Sequence, residues 1–203
     1  EDLGDVDFTN VTGVEILAFA SGANYTATLA TEAIQAGIVN VDISALASTN
    51  NATITASAYT AGLKVTGGAG NDTIASGEGN DTITSGAGND TITSGDGNDT
   101  IDGGLGDDIF KFTMSDITSQ DKVVGGSGSD ILEITDAVDI AATSNIFSLV
   151  SGVETLQVDL AGGVVVNSTM TNAGFNKIDG SSITTGALTL NASASTVGFT
   201  LLG

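Results

Sequence analysis

The chain has no cysteine, histidine, proline or tryptophan, and only four of its 203 residues are basic. Without thiols there are no disulfides. With imidazoles missing as well, the chain can neither assemble a Cys/His zinc site nor use histidine as an acid or base. The four basic residues are all lysines, Lys64, Lys111, Lys122 and Lys177. Four scattered ammonium groups cannot form the basic patch that nucleic acid or an anionic bilayer surface requires. No apolar run approaches the ~20 residues that cross a bilayer, so membrane insertion is not expected. The chain opens Glu1-Asp2-Leu3, without an initiator Met or a signal-peptide pattern, and is expected to be a piece of something longer.

Acid, by contrast, is abundant. Against the four lysines stand 25 Asp and Glu, for a net charge of -21. Such an excess ordinarily marks a solvated or disordered chain. Yet 40% of the residues are hydrophobic, and the length suffices for one to two domains with a core. Mean hydropathy is positive, at +0.26. The two facts are compatible if a cation neutralises the acids as the chain folds.

Two periods run through the sequence. The shorter is nine residues: positions 67 to 111 divide into GGAGNDTIA, SGEGNDTIT, SGAGNDTIT, SGDGNDTID and GGLGDDIFK. A sixth unit, GGSGSDILE, follows at 125 to 133 after a 13-residue insertion, and with Ser129 before Asp130 it is the weakest match and a candidate end cap. The longer period relates the flanks. Phe8-Thr-Asn-Val-Thr-Gly-Val-Glu-Ile-Leu17 matches Phe147-Ser-Leu-Val-Ser-Gly-Val-Glu-Thr-Leu156, Ala36-Gly37 with Val41-Asp42 matches Ala173-Gly174 with Ile178-Asp179, and Ala56-Ser57-Ala58 with Gly62 matches Ala192-Ser193-Ala194 with Gly198. The offsets are 139, 137 and 136, as expected for about one and a half copies of a module near 137 residues long.

Within a nonapeptide the chemistry is legible. In Ser85-Gly86-Ala87-Gly88-Asn89-Asp90-Thr91-Ile92-Thr93 the glycines permit a tight turn, and Asp-Thr-Ile-Thr is a short strand rich in β-branched residues. Side chains alternate along a strand, so Asp90 shares a face with Ile92. If Ile92 enters the core together with Ile74, Ile83, Ile101 and Phe110, the aspartates turn inward too. Stacked coils lie ~4.8 Å apart. In a two-strand coil Asp72, Asp90 and Asp108 then line one edge, and Asp81 and Asp99 the other. Two carboxylates at that spacing repel by roughly 3.5 kcal/mol at an effective dielectric near 20. Nine acidic residues and no lysine lie between Lys64 and Lys111. A cation from outside is therefore expected, held by oxygen alone: Asp carboxylates and turn carbonyls. Flexible all-oxygen donors suit Ca²⁺ better than Mg²⁺, and binding would be coupled to folding. Asp96-x-Asn98-x-Thr100 begins like an EF-hand loop, but Ile101 occupies the position that needs glycine.

Outside the nonapeptides, apolar strand centres recur at Val41/Ile43, Ile54, Leu63/Val65 and Ile74, which predicts longer coils of one solenoid leading into the roll. A separate small β-sandwich is the alternative. Thr31 to Gly37 reads as a short helical turn ended by Gly37, with Gly174 in the same part in the second copy. The expected architecture is all-β, a parallel β-roll or β-solenoid, divided into a flanking segment at 1–66, the repeat block at 67–133 and a second flanking segment at 134–203.

The nonapeptides resemble the RTX family of calcium-binding repeats over 67 to 111, and more loosely over 125 to 133. The resemblance implies a parallel β-roll with several Ca²⁺ ions between its turns, and export without a cleaved N-terminal signal. It carries calcium-binding roles to Asp72, Asp81, Asp90, Asp99 and Asp108, and more weakly to Asp130. The turn residues around them join this set: Asn71, Asn80, Asn89 and Asn98, with Asp107 in the asparagine's place in the fifth unit, and the pairs Gly68/Gly70, Gly77/Gly79, Gly86/Gly88, Gly95/Gly97 and Gly104/Gly106. The flanking F-x-x-V-[TS]-G-V-E-x-L element is similar to segments of bacterial surface-layer proteins and large RTX adhesins.

No catalytic function is expected, because neither a His-Glu-x-x-His, a G-x-S-x-G nor a phosphate-binding glycine loop occurs. Paired acids such as Asp107/Asp108 sit inside the repeat and read as cation ligands rather than glycosidase residues. Three functions stay open: a structural module of a secreted surface-layer, fibre or biofilm-matrix protein that associates with copies of itself, the spacer arm of an adhesin, and the C-terminal block of a secreted hydrolase. Repetition of the module favours the first. Sequons at Asn10, Asn24, Asn51 and Asn191 follow from a composition rich in Asn and Thr.

Overall fold

The computed structural model describes residues 2–3, 10–19, 22–136, 145–158, 163–165, 173–181, 189–191 and 200–202. Strands alternate between two parallel sheets as the chain winds. One sheet has ten strands: β1 (Asp2–Leu3), β3 (Tyr25–Thr28), β5 (Ala52–Thr55), β7 (Thr73–Ala75), β9 (Thr91–Thr93), β11 (Ile109–Phe112), β13 (Ile131–Ile134), β15 (Thr155–Val158), β17 (Lys177–Asp179) and β19 (Thr200–Leu202). The facing sheet has seven: β2 (Ile16–Ala18), β4 (Asn40–Asp42), β6 (Lys64–Thr66), β8 (Thr82–Ala87), β10 (Thr100–Leu105), β12 (Lys122–Ser127) and β14 (Val150–Ser151). A further parallel pair is β16 (Gly163–Val165) with β18 (Thr189–Asn191).

The nonapeptide sets this geometry. Each unit supplies one turn and one strand, so two units close a coil and Thr73 pairs in register with Thr91. The apolar residue two after each aspartate points inward and stacks on its equivalents. Ile54, Ile74, Ile92, Phe110, Leu132, Leu156 and Ile178 form one inner column, and Val41, Val65, Ile83, Ile101, Val123 and Val150 the other. All are buried. Each such side chain stabilises the fold by ~1.5–3 kcal/mol, the main source of order in a chain without disulfides.

The flanks are longer coils of the same solenoid. Ile16 pairs with Asn40 and Asn40 with Lys64, while the sequence β4–β6–β8 carries the sheet across residue 67 without a break. A separate sandwich before the repeats is thereby ruled out. The extra length of one flanking coil is taken up by the helical turn α1 (Thr31–Ala36), which ends on Gly37 at φ +90 with the Gly37 N–H on the last carbonyls. Gly174 takes φ +104 at the matching place in the second copy, and Gly13 and Gly152 match at φ +70 and +65. Phe8, Ala192–Ala194 and Gly198 of the longer repeat lie outside the described residues. Equivalent strands of the two copies occupy opposite sheets: β2 belongs to the seven-stranded sheet and β15 to the ten-stranded one. An odd number of strand-to-strand steps leads from β2 to β15, so the second copy is turned half a coil from the first.

Candidate metal centre

Where strand meets turn, the aspartates of the repeat stack in two ladders, one on each edge of the solenoid. Along the edge leading into the ten-stranded sheet, Asp72 N–H donates to Asp90 Oδ1 at 2.7 Å, Asp90 N–H to Asp108 Oδ1 at 2.8 Å, and Asp108 N–H to Asp130 Oδ1 at 2.9 Å. On the opposite edge Leu63 N–H donates to Asp81 Oδ1 at 2.7 Å and Asp81 N–H to Asp99 Oδ1 at 2.9 Å. Every one of these carboxylates is at most 2% exposed. The inward turn follows from alternation, since Ile74 or Ile92 two residues on must enter the core.

In all of them but Asp72, half of the carboxylate remains unused. Oδ2 of Asp81, Asp90, Asp99, Asp108 and Asp130 is buried and has no hydrogen-bond partner. A buried carboxylate oxygen without a partner is strongly disfavoured unless a cation or a proton meets it. The carboxyl groups respond accordingly. Burial drives Asp108 up to about 7, with Asp90, Asp130 and Asp107 adding repulsion. It drives Asp81 up to about 6, where the nearby Ser76 hydroxyl and the Leu63 N–H offset part of the rise. Asp90, Asp99 and Asp130 are raised by the same burial. The lysines give no relief: Lys111 pairs with Glu133 at 3.0 Å and Lys177 with Asp179 at 3.1 Å, away from the ladders.

The glycines bring main-chain oxygen to the same edges. Gly88, at φ +117, lies so close beneath the previous coil that a Cβ there would sit 2.4 Å from the Gly70 carbonyl oxygen; at Gly106 it would be 2.0 Å from that of Gly88. A carbonyl reaches an unpartnered carboxylate oxygen at Gly103, where a Cβ would lie 2.4 Å from Asp108 Oδ2 and 2.6 Å from the Gly125 carbonyl oxygen. Among the described residues no three acidic side chains converge as a metal cluster. A cation at these edges would therefore draw on one unpartnered carboxylate oxygen together with turn carbonyls, a mixed hard-oxygen set that fits Ca²⁺. 

The turn asparagines are placed differently. Asn71 Oδ1 accepts the Asn89 N–H at 2.9 Å, Asn89 Oδ1 the Asp107 N–H at 3.0 Å, and Asn80 Oδ1 the Asn98 N–H at 2.9 Å. These side chains are exposed and form an outer ladder running opposite to the aspartate one. Asp107 keeps its place in that ladder, accepting from Ser129 N–H at 2.8 Å. The first unit also departs from the others. Asp72 is satisfied on both oxygens, by Ala52 N–H at 2.7 Å and Gly68 N–H at 3.1 Å, and Gly68 and Gly70 do not take the left-handed conformation found at Gly77, Gly79, Gly86, Gly88, Gly95, Gly97, Gly104 and Gly106.

Two ladder members escaped the nonapeptide pattern. Asp121, at the end of the insertion, accepts the Asp99 N–H at 2.7 Å and the Thr118 N–H at 2.6 Å, closing that ladder. Glu154 accepts the Asp130 N–H at 2.9 Å. Both carry the signal that marks the others, an apolar residue two positions later (Val123 and Leu156), but neither follows a glycine-rich turn of nonapeptide form. Elsewhere Glu78, Asp96 and Asp116 line an open surface groove of about 230 Å³, where a hydrogen bond with Asp116 raises the Asp96 carboxyl.

Residues 64–83 and 76–110 match the family model described as the RTX calcium-binding nonapeptide repeat, in four copies. No curated protein and no solved structure matches the chain. The stacked turns of residues 64–110 are RTX calcium-binding nonapeptide repeats, wound into a parallel β-solenoid.

Proposed function

We propose that this chain is a calcium-rigidified structural module of a secreted bacterial surface-layer, fibre or biofilm-matrix protein. In this reading residues 67–133 are the calcium-binding section, flanked by segments 1–66 and 134–203, whose described strands continue its solenoid on either side. Ca²⁺ is taken up at the two edges by Asp81, Asp90, Asp99 and Asp108, with carbonyls of the glycine turns completing each site. Asp72 serves as the foot of its ladder, since both of its oxygens already have donors.

The observation that carries the reading is the row of buried, unpartnered Oδ2 atoms along a continuous stack of coils. A stack of this kind has mechanical use only when the charges are neutralised, and it then forms a stiff rod with no hinge between repeat block and flank. The matched turns at Gly13/Gly152 and Gly37/Gly174 support a module that recurs along its parent, as a stalk or lattice protein requires. The described helix is too short to cross a membrane, and the partners this reading calls for are calcium ions and copies of the same chain.

Immunogold electron microscopy with an antibody against this chain tests the assignment. Label over an ordered surface coat or matrix, released by a calcium chelator, is expected. Label confined to a freely soluble secreted enzyme would replace the structural reading with that of a hydrolase's C-terminal block, and label on thin arms ending in a host-binding tip would favour an adhesin.

A further inference from the structure

We propose that Glu154 closes one more divalent-cation site, at the junction between the turn 125–130 and the ordinary turn Gly152-Val153-Glu154, beyond the matched repeats. The inference rests on the reading of the lower turns as calcium sites.

Three observations carry it. First, Asp130 is wholly buried, and its Oδ2 has no hydrogen-bond partner. Second, a Cβ placed on Gly125 would lie 1.9 Å from the Gly152 carbonyl oxygen and 2.5 Å from Asp130 Oδ2, so both oxygens crowd one point. The corner one coil below is built alike: a Cβ on Gly103 would lie 2.4 Å from Asp108 Oδ2 and 2.6 Å from the Gly125 carbonyl oxygen. Third, Glu154 holds the station that an aspartate holds in each lower coil. Its Oε2 accepts the Asp130 N–H at 2.9 Å, as Asp130 Oδ1 accepts the Asp108 N–H at 2.9 Å.

The charges bearing on Asp130 are those of Glu154 and Asp107, both negative. An inward carboxylate, a carbonyl aimed at the same point and a second carboxylate one coil on form an all-oxygen, anionic donor set of the kind that takes Ca²⁺. The site would tie the repeat block to the coil that follows, so calcium would order the β13–β15 step as well as the nonapeptides.

Equilibrium dialysis against calcium, with the full chain, counts the ions. Glu154→Gln is the decisive variant: its amide oxygen can still accept the Asp130 N–H, so the coil stays closed while the negative charge is lost. The expected result is one ion fewer than wild type, or one ion bound at least tenfold more weakly, with the rest unchanged. Asp130→Asn should behave the same way. In the wild type, the amide NMR signals of Gly152 and Val153 should shift during calcium titration. If both variants bind the wild-type number with wild-type affinity while Asp90→Asn binds less, this inference is wrong and the lower sites stand. If wild type binds no calcium, the reading of the lower turns fails and this one with it.

Discussion

The backbone N–H of Asp72 donates to Oδ1 of Asp90 at 2.7 Å, while Oδ2 of the same carboxylate is buried and meets no donor. One oxygen locks two coils together; the other is left for something the chain does not supply. The same division recurs at Asp81, Asp99, Asp108 and Asp130, which is why the stack is both well ordered in its hydrogen bonds and electrostatically incomplete.

Replacing Asp90 removes both functions at once. Asp90→Ala strands the Asp72 N–H in the interior, at ~1–3 kcal/mol, and weakens calcium binding. Asp96→Ala acts at an exposed turn position and leaves calcium binding near wild type. Titration calorimetry on the two variants separates them, and equal losses would contradict the inward ladder.

The asparagine ladder predicts a different outcome. Asn89 Oδ1 serves the Asp107 N–H at the surface, where water can substitute. Asn89→Ala should cost ~0.5–1.5 kcal/mol of stability and leave the number of bound calcium ions unchanged. A lost ion would make the asparagine side chain a ligand.

Acid should partly replace calcium. A carboxyl whose folded value exceeds its unfolded 3.8 favours folding when protonated, so its stabilising effect is complete below about pH 4 and is lost as pH rises through the folded value. For Asp81 that value is about 6 and for Asp108 about 7. The chelated protein should therefore melt at a higher temperature near pH 5 than near pH 7.5. Calcium affinity should run the other way, rising over that interval as the carboxylates ionise. Thermal melts in chelator and calcium titrations at the two pH values check both signs.

Gly88→Ala tests the close approach of coils. The new methyl would meet the Gly70 carbonyl oxygen at 2.4 Å on a backbone at φ +117, so two penalties combine. A loss of ~2–4 kcal/mol is expected from overpacking and the left-handed conformation together, measured by chemical denaturation in saturating calcium. The neighbouring Ala87→Ser, at a turn position that varies among the units, should be close to neutral.

The nonapeptide core was legible because its spacing determines everything local. Ile74, Ile83, Ile92, Ile101 and Phe110 had to share a face with the aspartates two residues earlier, and alternation placed both inside. What strict spacing hid was the behaviour at the ends of the ladders. Asp72 resembles its neighbours in sequence, yet Gly68, outside the left-handed conformation of its equivalents in the later units, turns its N–H onto Oδ2 and supplies the donor that those units lack. Asp121 and Glu154 were overlooked because they reach the ladder from turns of other lengths; only the D/E-x-apolar step survives in them. The asparagines read as turn residues beside the metal, but their direction along the stack is a property of neighbouring coils, which one unit cannot display. The half-coil offset between the two flanks was likewise hidden, because it depends on the parity of the strands between β2 and β15.

Far-UV circular dichroism of the chain through a calcium titration followed by chelation tests the central claim most directly. At neutral pH the β signal and thermal stability should rise together as calcium fills the edges and fall when it is withdrawn. A metal-stripped chain with an unchanged spectrum and unchanged melting temperature would show that the buried carboxylates need no cation, and the account would be contradicted.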